Sequence, residues 1–318
     1  MPDSKAASIT LLPCTEPAAW AAAQAALRLE TLEQCWAYGA AVAQVSRTRP
    51  ERWLIQAGGQ EIGLVQAFRR DFAGLFSLVR ILRGPLFRPG LDPALRQAAL
   101  AAVRTQYRGQ RRLLWWLPEL PGGSEAEALM QRLGLAQMMT GWSSVRLDLT
   151  PPPNALRSHL DGKWRNALKA AERSPLLIAE SSDPAQFDAV MRAHDVQRIE
   201  KRFLGPDGAF YRAFAAAADP AHGEQAHLFT ASIGNRPVAG MLLLRHGRGA
   251  TYAAGWSGEA GRLLRAHHRL LWHGLLTLKA RGVQHFDLGG ANTEEGAGVA
   301  RFKLGLNGEV FTLAGSYF

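Results

Sequence analysis

Cysteine is nearly absent: Cys14 and Cys35 are the only two in 318 residues. That is too few for a disulfide framework, suits a reducing compartment, and makes both thiols small buried side chains. No apolar run reaches the length that spans a bilayer. The longest candidate, Leu263 to Leu278, is broken by Arg265, His267, His268 and Arg269. The opening MPDSKAAS lacks a basic segment followed by an apolar core, so no secretory leader is expected and a cytoplasmic location is. Lysine is scarce as well, and arginine supplies most of a formal net charge of +10. Such a charge fits an arginine-rich composition in general, or a polyanionic partner such as tRNA, a phosphorylated lipid or a membrane surface. Metal-ligand patterns are missing too. His267 and His268 are adjacent and so face different ways on a helix, and His273 is off the i, i+4 spacing of paired ligands. No nucleophile elbow surrounds Ser257. No metal and no resident cofactor are therefore expected.

What is present is an ordinary globular composition, 47% hydrophobic and 20% charged, in a chain long enough for two cores. The pattern of elements occurs twice. Strands are predicted at Arg52–Gln56, Ile62–Phe68 and Leu75–Leu82, then a helix at Pro93–Tyr107 and a strand at Arg112–Leu117. The second half repeats this with strands at His227–Ile233, Val238–Arg245 and Thr251–Trp256, a helix at Arg262–Ala280 and a strand at Val283–Leu288. Ala57-Gly58-Gly59-Gln60 and Gly234-Asn235-Arg236-Pro237 are equivalent turns, and Gly247-Arg248-Gly249 makes a further tight hairpin. A helix at Ser124–Leu133 and a strand at Trp142–Leu149 complete the first copy. Thr150-Pro151-Pro152-Pro153 reads as a stiff linker, which divides the chain into residues 1–150 and 151–305. Glu309–Phe318 reads as one more strand. The fold class is α/β (α+β), with two tandem domains.

The densest motif block runs from Ala250 to Leu306. A strand ends in Gly255-Trp256-Ser257, a long helix carries a run of histidines, and a second strand ends in Asp287-Leu288-Gly289-Gly290. A loop bearing Ala300-Arg301-Phe302-Lys303-Leu304-Gly305 follows. This block resembles the Fem family of aminoacyl-tRNA-dependent peptidyltransferases, which use the GNAT-like acetyltransferase fold. Two first-half stretches agree: Gln34-Cys35-Trp36-Ala37-Tyr38-Gly39 is similar to the family's Gln-Ser-Trp-x-Trp-Gly helix start, and Arg83-Gly84-Pro85 to its Arg-Gly-Pro. The resemblance implies two tandem GNAT-like domains, with the segment 306–318 returning to the first. No heptad stretch of the required length exists for the coiled-coil arm of larger members, so the compact form is implied.

The resemblance also implies a reaction: transfer of an amino acid from aminoacyl-tRNA, as co-substrate, to an amine of a peptide, a peptidoglycan precursor or a related acceptor. Lys303 would then lie in the donor and acceptor channel, stabilising charge on the ester oxygen or anchoring a phosphate. Arg165, with Asn166 beside it, would hold a substrate phosphate. The helical spacing of Arg165, Lys169 and Arg173 puts them on one side, which equally describes a solvated basic face. Tyr252 is a candidate proton relay or a core residue, and His268 a further candidate acid or base. Trp36 and Tyr38 would stack on a sugar or base or be buried, and Arg83 is a candidate anion ligand. Asp287, Gly289 and Arg301 complete the implied substrate-binding set. The family's lysine after the first aromatic motif has no counterpart in Ala40-Ala41-Val42-Ala43-Gln44, and its Asp before a strand-ending Pro is Leu117 here, with Glu119 beyond Pro118. Both departures count against a nucleotide-linked muramyl pentapeptide as acceptor.

Two rival functions stay open. An acyl-CoA-dependent N-acyltransferase would need a Gln/Arg-x-x-Gly-x-Gly/Ala loop between a strand and a helix. Only Gln131-Arg132-Leu133-Gly134-Leu135-Ala136 fits the letters, and it reads as a helix end capped by Gly134. A non-catalytic RNA-binding module would use the basic surface alone.

Overall fold

The computed structural model describes residues 8–27, 29–202, 205–290 and 297–318. Residues 1–7, on which the leader reading rested, lie outside them. Two compact units form: Met1–Trp142 with Thr312–Phe318, and Ser143–Phe311.

The first unit runs β1 (Ile9–Pro13), α1 (Pro17–Ala25), α2 (Trp36–Val45), β2 (Arg49–Ala57), β3 (Gln60–Phe72) and β4 (Phe76–Leu82). Then come β5 (Leu86–Phe87), α3 (Pro93–Gln106), β6 (Arg112–Leu117), α4 (Ser124–Arg132) and β7 (Gln137–Met139). The second unit holds β8 (Ser143–Asp148), α5 (Pro153–His159), α6 (Gly162–Glu172), β9 (Leu177–Ser181), α7 (Pro184–Glu200) and α8 (Gly208–Ala217). It continues with β10 (Glu224–Ile233), β11 (Arg236–His246), β12 (Gly249–Ser257), α9 (Glu259–Leu263), α10 (Ala266–Ala280), β13 (His285–Gly290), α11 (Ala297–Leu304) and β14 (Glu309–Thr312). The last strand, β15 (Ser316–Tyr317), belongs to the first unit.

Each unit is built on one mixed sheet. In the first the order is β1-β2-β3-β4-β6-β15-β7, with β5 off the path on β3; in the second it is β14-β8-β13-β12-β11-β10-β9. Each sheet is an antiparallel four-strand meander followed by one parallel step, β4 to β6 across α3 and β12 to β13 across α9 and α10. A parallel step needs a crossover, and the helix that makes it buries its apolar stripe on the sheet. In the second unit that stripe is Leu270, Leu271, Leu275 and Leu278, packed with Phe229, Met241, Leu243 and Phe286. Each such leucine contributes about 1.5–3 kcal/mol by leaving water. The helix ends where Gly282, at φ 87°, turns left-handed: its N–H donates to the Lys279 carbonyl, and Val283 N–H donates to that of Leu278.

Three sequence expectations need correction. The strand at Trp142–Leu149 does not complete the first copy: β8 pairs antiparallel with β13 in the second sheet. The triple proline therefore lies inside the second unit, where Pro153 opens α5 as a first-turn proline, and the units divide at Trp142/Ser143. The segment 309–318 is two strands rather than one, β14 beside β8 and β15 between β6 and β7. The helix expected at Arg262–Ala280 is broken at Arg265, whose φ of 57° separates α9 from α10.

Candidate active site

In the second unit the pairing of β13 with β8 slips. Asp287 opposes Arg146 and Gly290 opposes Ser144, so three steps on β13 match two on β8 and one residue bulges out. Three groups hold the bulge. Gly289 takes φ 70°, which a side chain would strain, and its N–H donates to Asp287 Oδ1 at 2.8 Å. Ser144 Oγ donates to the same carboxylate oxygen at 2.5 Å and lies 2.8 Å from the Gly289 carbonyl. Ser144 and Asp287 are both buried. A buried carboxylate would be costly unpaired, and here it is answered by an amide, a hydroxyl and a nearby cation.

That cation is Lys303. It lies on α11, a helix rather than the expected loop, and its Nζ donates to the Gly290 carbonyl at 2.7 Å. The ammonium also sits 5.6 Å from the centre of the Tyr252 ring. Burial pulls its pKa down to about 8, and the Asp287 charge opposes that shift. Tyr252, on β12, is half-buried, and burial pushes its phenol up to about 12. It is therefore a hydrogen-bond donor at neutral pH. Its hydroxyl rests against the Cα side of Gly255, where a Cβ would collide with it. Among the described residues that hydroxyl has no hydrogen-bond partner. An ammonium and an unengaged phenol beside one bulged strand can stabilise a developing oxyanion and protonate a leaving oxygen.

The remaining implied residues are placed differently. His268 packs between Trp164 and Phe302, with ring centres 5.0 Å from each. Burial, then the charges of Arg265 and His267, drop its pKa to about 4, so it is a neutral packing group at pH 7. Arg165 turns toward α5, donating to the Ser158 carbonyl at 2.8 Å, while Asn166 and Lys169 are exposed on α6. Trp164 Nε1 donates to the Phe302 carbonyl at 3.1 Å, and Asp161 N–H to that of Gly305 at 3.0 Å. These bonds join the helix bearing Arg165 to the helix bearing Lys303. Arg301 is exposed on α11.

In the first unit the aromatic motif is architecture. Gln34 is fully buried: its amide donates to the carbonyls of Gln66 and Leu82, and its carbonyl accepts from Gln66 N–H. This ties the start of α2 to β3 and β4. Gly39 lies so close to Gln66 and Arg52 that a Cβ would collide with both, and one on Gly84 would strike the Gln34 amide. Trp36 lies under the Arg52 guanidinium at 3.6 Å and edge-on to Trp20, and Tyr38 packs edge-on to Phe68. Arg83 is buried and bidentate to Glu119 at 2.8 and 3.0 Å, so its charge is already answered. Ser144 escaped sequence reading because nothing at the start of a strand marks a serine as the partner of a carboxylate 143 positions away.

Residues 156–304 match the family model described as "Acetyltransferase (GNAT) domain". Among solved structures, FemX superposes with TM-score 0.79 at 13% identity, over 98% of this chain and 96% of that one. The chain therefore shares the tandem GNAT fold of FemX. A tandem GNAT protein from the clavulanic acid biosynthesis pathway has TM-score 0.57 at 14% identity, over 98% of each chain. The C-terminal domain of a putative lysylphosphatidylglycerol synthetase from Agrobacterium fabrum has TM-score 0.54 at 12% identity, over 95% of this chain and 92% of that one. No curated protein sequence matches the chain. Among the described residues no helix of this tandem GNAT protein is long and apolar enough to cross a membrane, and no group of three His, Cys, Asp or Glu could hold a metal ion.

Proposed function

We propose that this protein is an acyltransferase of the Fem type, moving an aminoacyl group from aminoacyl-tRNA to an amine of a peptide, peptidoglycan precursor or related acceptor. The observation that carries the reading is the Lys303 ammonium, anchored on the Gly290 carbonyl and 5.6 Å from the centre of the Tyr252 ring, beside the β13 bulge. The acceptor nitrogen attacks the ester carbonyl, the carbon–oxygen bond to the ribose breaks, and an amide forms. The nitrogen gives up one proton and the ribose oxygen gains one. The ester is already activated, so no covalent enzyme intermediate and no resident cofactor are required. Positioning and charge stabilisation are the protein's share. Lys303 answers the oxyanion, and Tyr252 donates toward the carbonyl or the ribose oxygen. A cytoplasmic setting, where charged tRNA is present, belongs to the same reading.

The acyl-CoA alternative needs backbone N–H groups at a strand-to-helix turn for the pyrophosphate. In the first unit the start of α3 carries Pro93, and Asp92 Oδ1 accepts from Ala94 N–H and Leu95 N–H. In the second, Gly258 N–H donates to the Val238 carbonyl, and Glu259 stands in the first turn of α9. A carboxylate at each turn opposes a bound pyrophosphate. The Arg83–Glu119 pair likewise leaves that guanidinium engaged, in line with an acceptor other than a nucleotide diphosphate.

The test is a mass-shift assay. Purified protein is incubated with a labelled, fully charged tRNA pool and a small-molecule extract of its host, with parallel samples given RNase or acetyl-CoA alone. A product bearing an amino-acid mass that vanishes with RNase supports the reading and names the donor. A product formed only with acetyl-CoA overturns it.

A further inference from the structure

The hairpin joining β3 and β4 breaks the rule that exposed loops are polar. Its tip turns through Ala73 and Gly74, at φ 46° and 75°, and carries Leu75 at 71% exposure. Phe72 and Phe76 stack beneath it with ring centres 4.6 Å apart. The apolar surface continues along one face of the sheet. Inward residues Val79, Ile81, Leu114 and Trp116 form the core, so the alternate positions Leu78, Arg80, Leu113 and Trp115 face outward. The register sets Leu78 beside Leu113 and Arg80 beside Trp115. Leu113 is 41% and Trp115 36% exposed. Outward positions of a half-solvated sheet are ordinarily polar, and a contiguous apolar patch marks a surface made for a partner.

Arginines rim this patch. Arg70 lies over Phe72 at 5.0 Å, and Ser77 N–H donates to the Arg111 carbonyl at 2.8 Å, which sets Arg111 beside the hairpin. Arg70 and Arg111 are exposed, whereas Arg112 belongs to the other face of β6 and donates from Nη1 to the Gln106 carbonyl at 3.1 Å. The nearby acids Asp71 and Glu51 are each paired with Arg49 and Arg69. The local charge is therefore positive around an aliphatic and aromatic tip. That combination is complementary to an anionic bilayer, where apolar side chains enter the headgroup region and guanidiniums meet phosphates. A nucleic acid would use the arginines but leave Leu75 in water, and the Phe72 and Phe76 faces it would stack on already cover each other.

We propose that the first unit docks on an anionic membrane surface through the β3–β4 hairpin and the outward face of β4 and β6. The proposal is independent of the transfer reaction, and its test uses neither donor nor acceptor. The full chain is floated with vesicles of phosphatidylcholine alone and of phosphatidylcholine with roughly one third phosphatidylglycerol. Wild type is expected to float with the anionic vesicles about fivefold more than with the neutral ones, less so as salt rises. The double variants L75S/F76S and R70Q/R111Q are each expected to lower that bound fraction about fivefold with unchanged far-UV circular dichroism, and R132Q on α4 to leave it unchanged. Equal flotation on neutral vesicles, no flotation, or unaltered binding by both double variants overturns the proposal. So does a concentration-dependent dimer that L75S/F76S abolishes, which would make the patch a self-interface. Loss of tRNA binding in R70Q/R111Q with vesicle binding intact would assign the arginines to RNA and overturn it too.

Discussion

Lys303 Nζ and the Gly290 carbonyl oxygen, 2.7 Å apart, join the last turn of α11 to the end of β13. Among the described residues this bond takes one of the three ammonium hydrogens and orients the others.

If the ammonium form stabilises the transition state, kcat/KM falls above about pH 8, where burial has placed the Lys303 pKa. Lys303→Ala is expected to lower kcat at least about tenfold and to abolish that descending limb. Lys303→Arg keeps the charge and moves the limb beyond the measurable range. The same shift acts on stability. The folded pKa lies below the ordinary lysine value of 10.5, so the penalty of the buried cation is full below pH 8 and fades toward pH 10.5. Lys303→Met is thus expected to be more stable than wild type at pH 7, by a margin that closes across that window. Urea unfolding at the two ends of it reads the effect.

Asp287 raises the Lys303 pKa against burial. Asp287→Asn keeps the shape of the bulge clamp and removes the charge, so the descending limb of the pH–rate profile is expected to move to lower pH. Ser144→Ala removes a hydrogen bond to a buried carboxylate and is expected to cost about 1.5–3 kcal/mol in urea unfolding. An unmoved limb in Asp287→Asn would separate the carboxylate from the lysine's chemistry.

Arg83 and Glu119 form a buried pair whose value is structural. Removing one partner leaves an uncompensated charge, so Glu119→Ala is expected to destabilise the protein by about 3–5 kcal/mol. Arg83→Met with Glu119→Leu removes both charges and is expected to cost less than either single change. Denaturant melts of Arg83→Met, Glu119→Leu and their combination, against wild type, form the double-mutant cycle.

The repeated meander and the crossover helices were legible because apolar periodicity and turn glycines report local structure directly, whereas the Lys303 segment was marked by its resemblance to a family motif and expected as a loop where α11 forms. What escaped is non-local. β8 lies next in sequence to the first unit yet pairs with β13, and its alternating pattern satisfies either sheet equally. Arg83 reads as a free anion ligand until Glu119 is folded against it. The first aromatic motif was visible as a motif, but that Gln34 bonds two strands and that Gly39 makes room for Gln66 emerge only in three dimensions. His268 carried the letters of an acid–base group, and its ring packing with Trp164 and Phe302 shows a different use.

Glu180 supplies the last prediction. It accepts from Arg281 Nη1 and Nη2 at 2.8 and 2.6 Å and lies 2.7 Å from His227 Nδ1. The Arg281 bonds first, and His227 after them, hold its pKa down at about 2 against burial. Burial keeps the His227 pKa below its usual value, and its Nδ1 lies 2.8 Å from Arg281 Nη1 as well as beside the carboxylate. Because the folded pKa of Glu180 is depressed, its contribution is full above the ordinary glutamate value of 4.5 and is lost as pH falls from there toward 2. The side chain is partly open to solvent, which screens the pair and limits the effect. Glu180→Gln is expected to cost about 1–2 kcal/mol at pH 7, with wild type and variant converging below about pH 3. Urea unfolding at both pH values decides it: a difference that persists in acid would assign Glu180 a packing role instead of an electrostatic one.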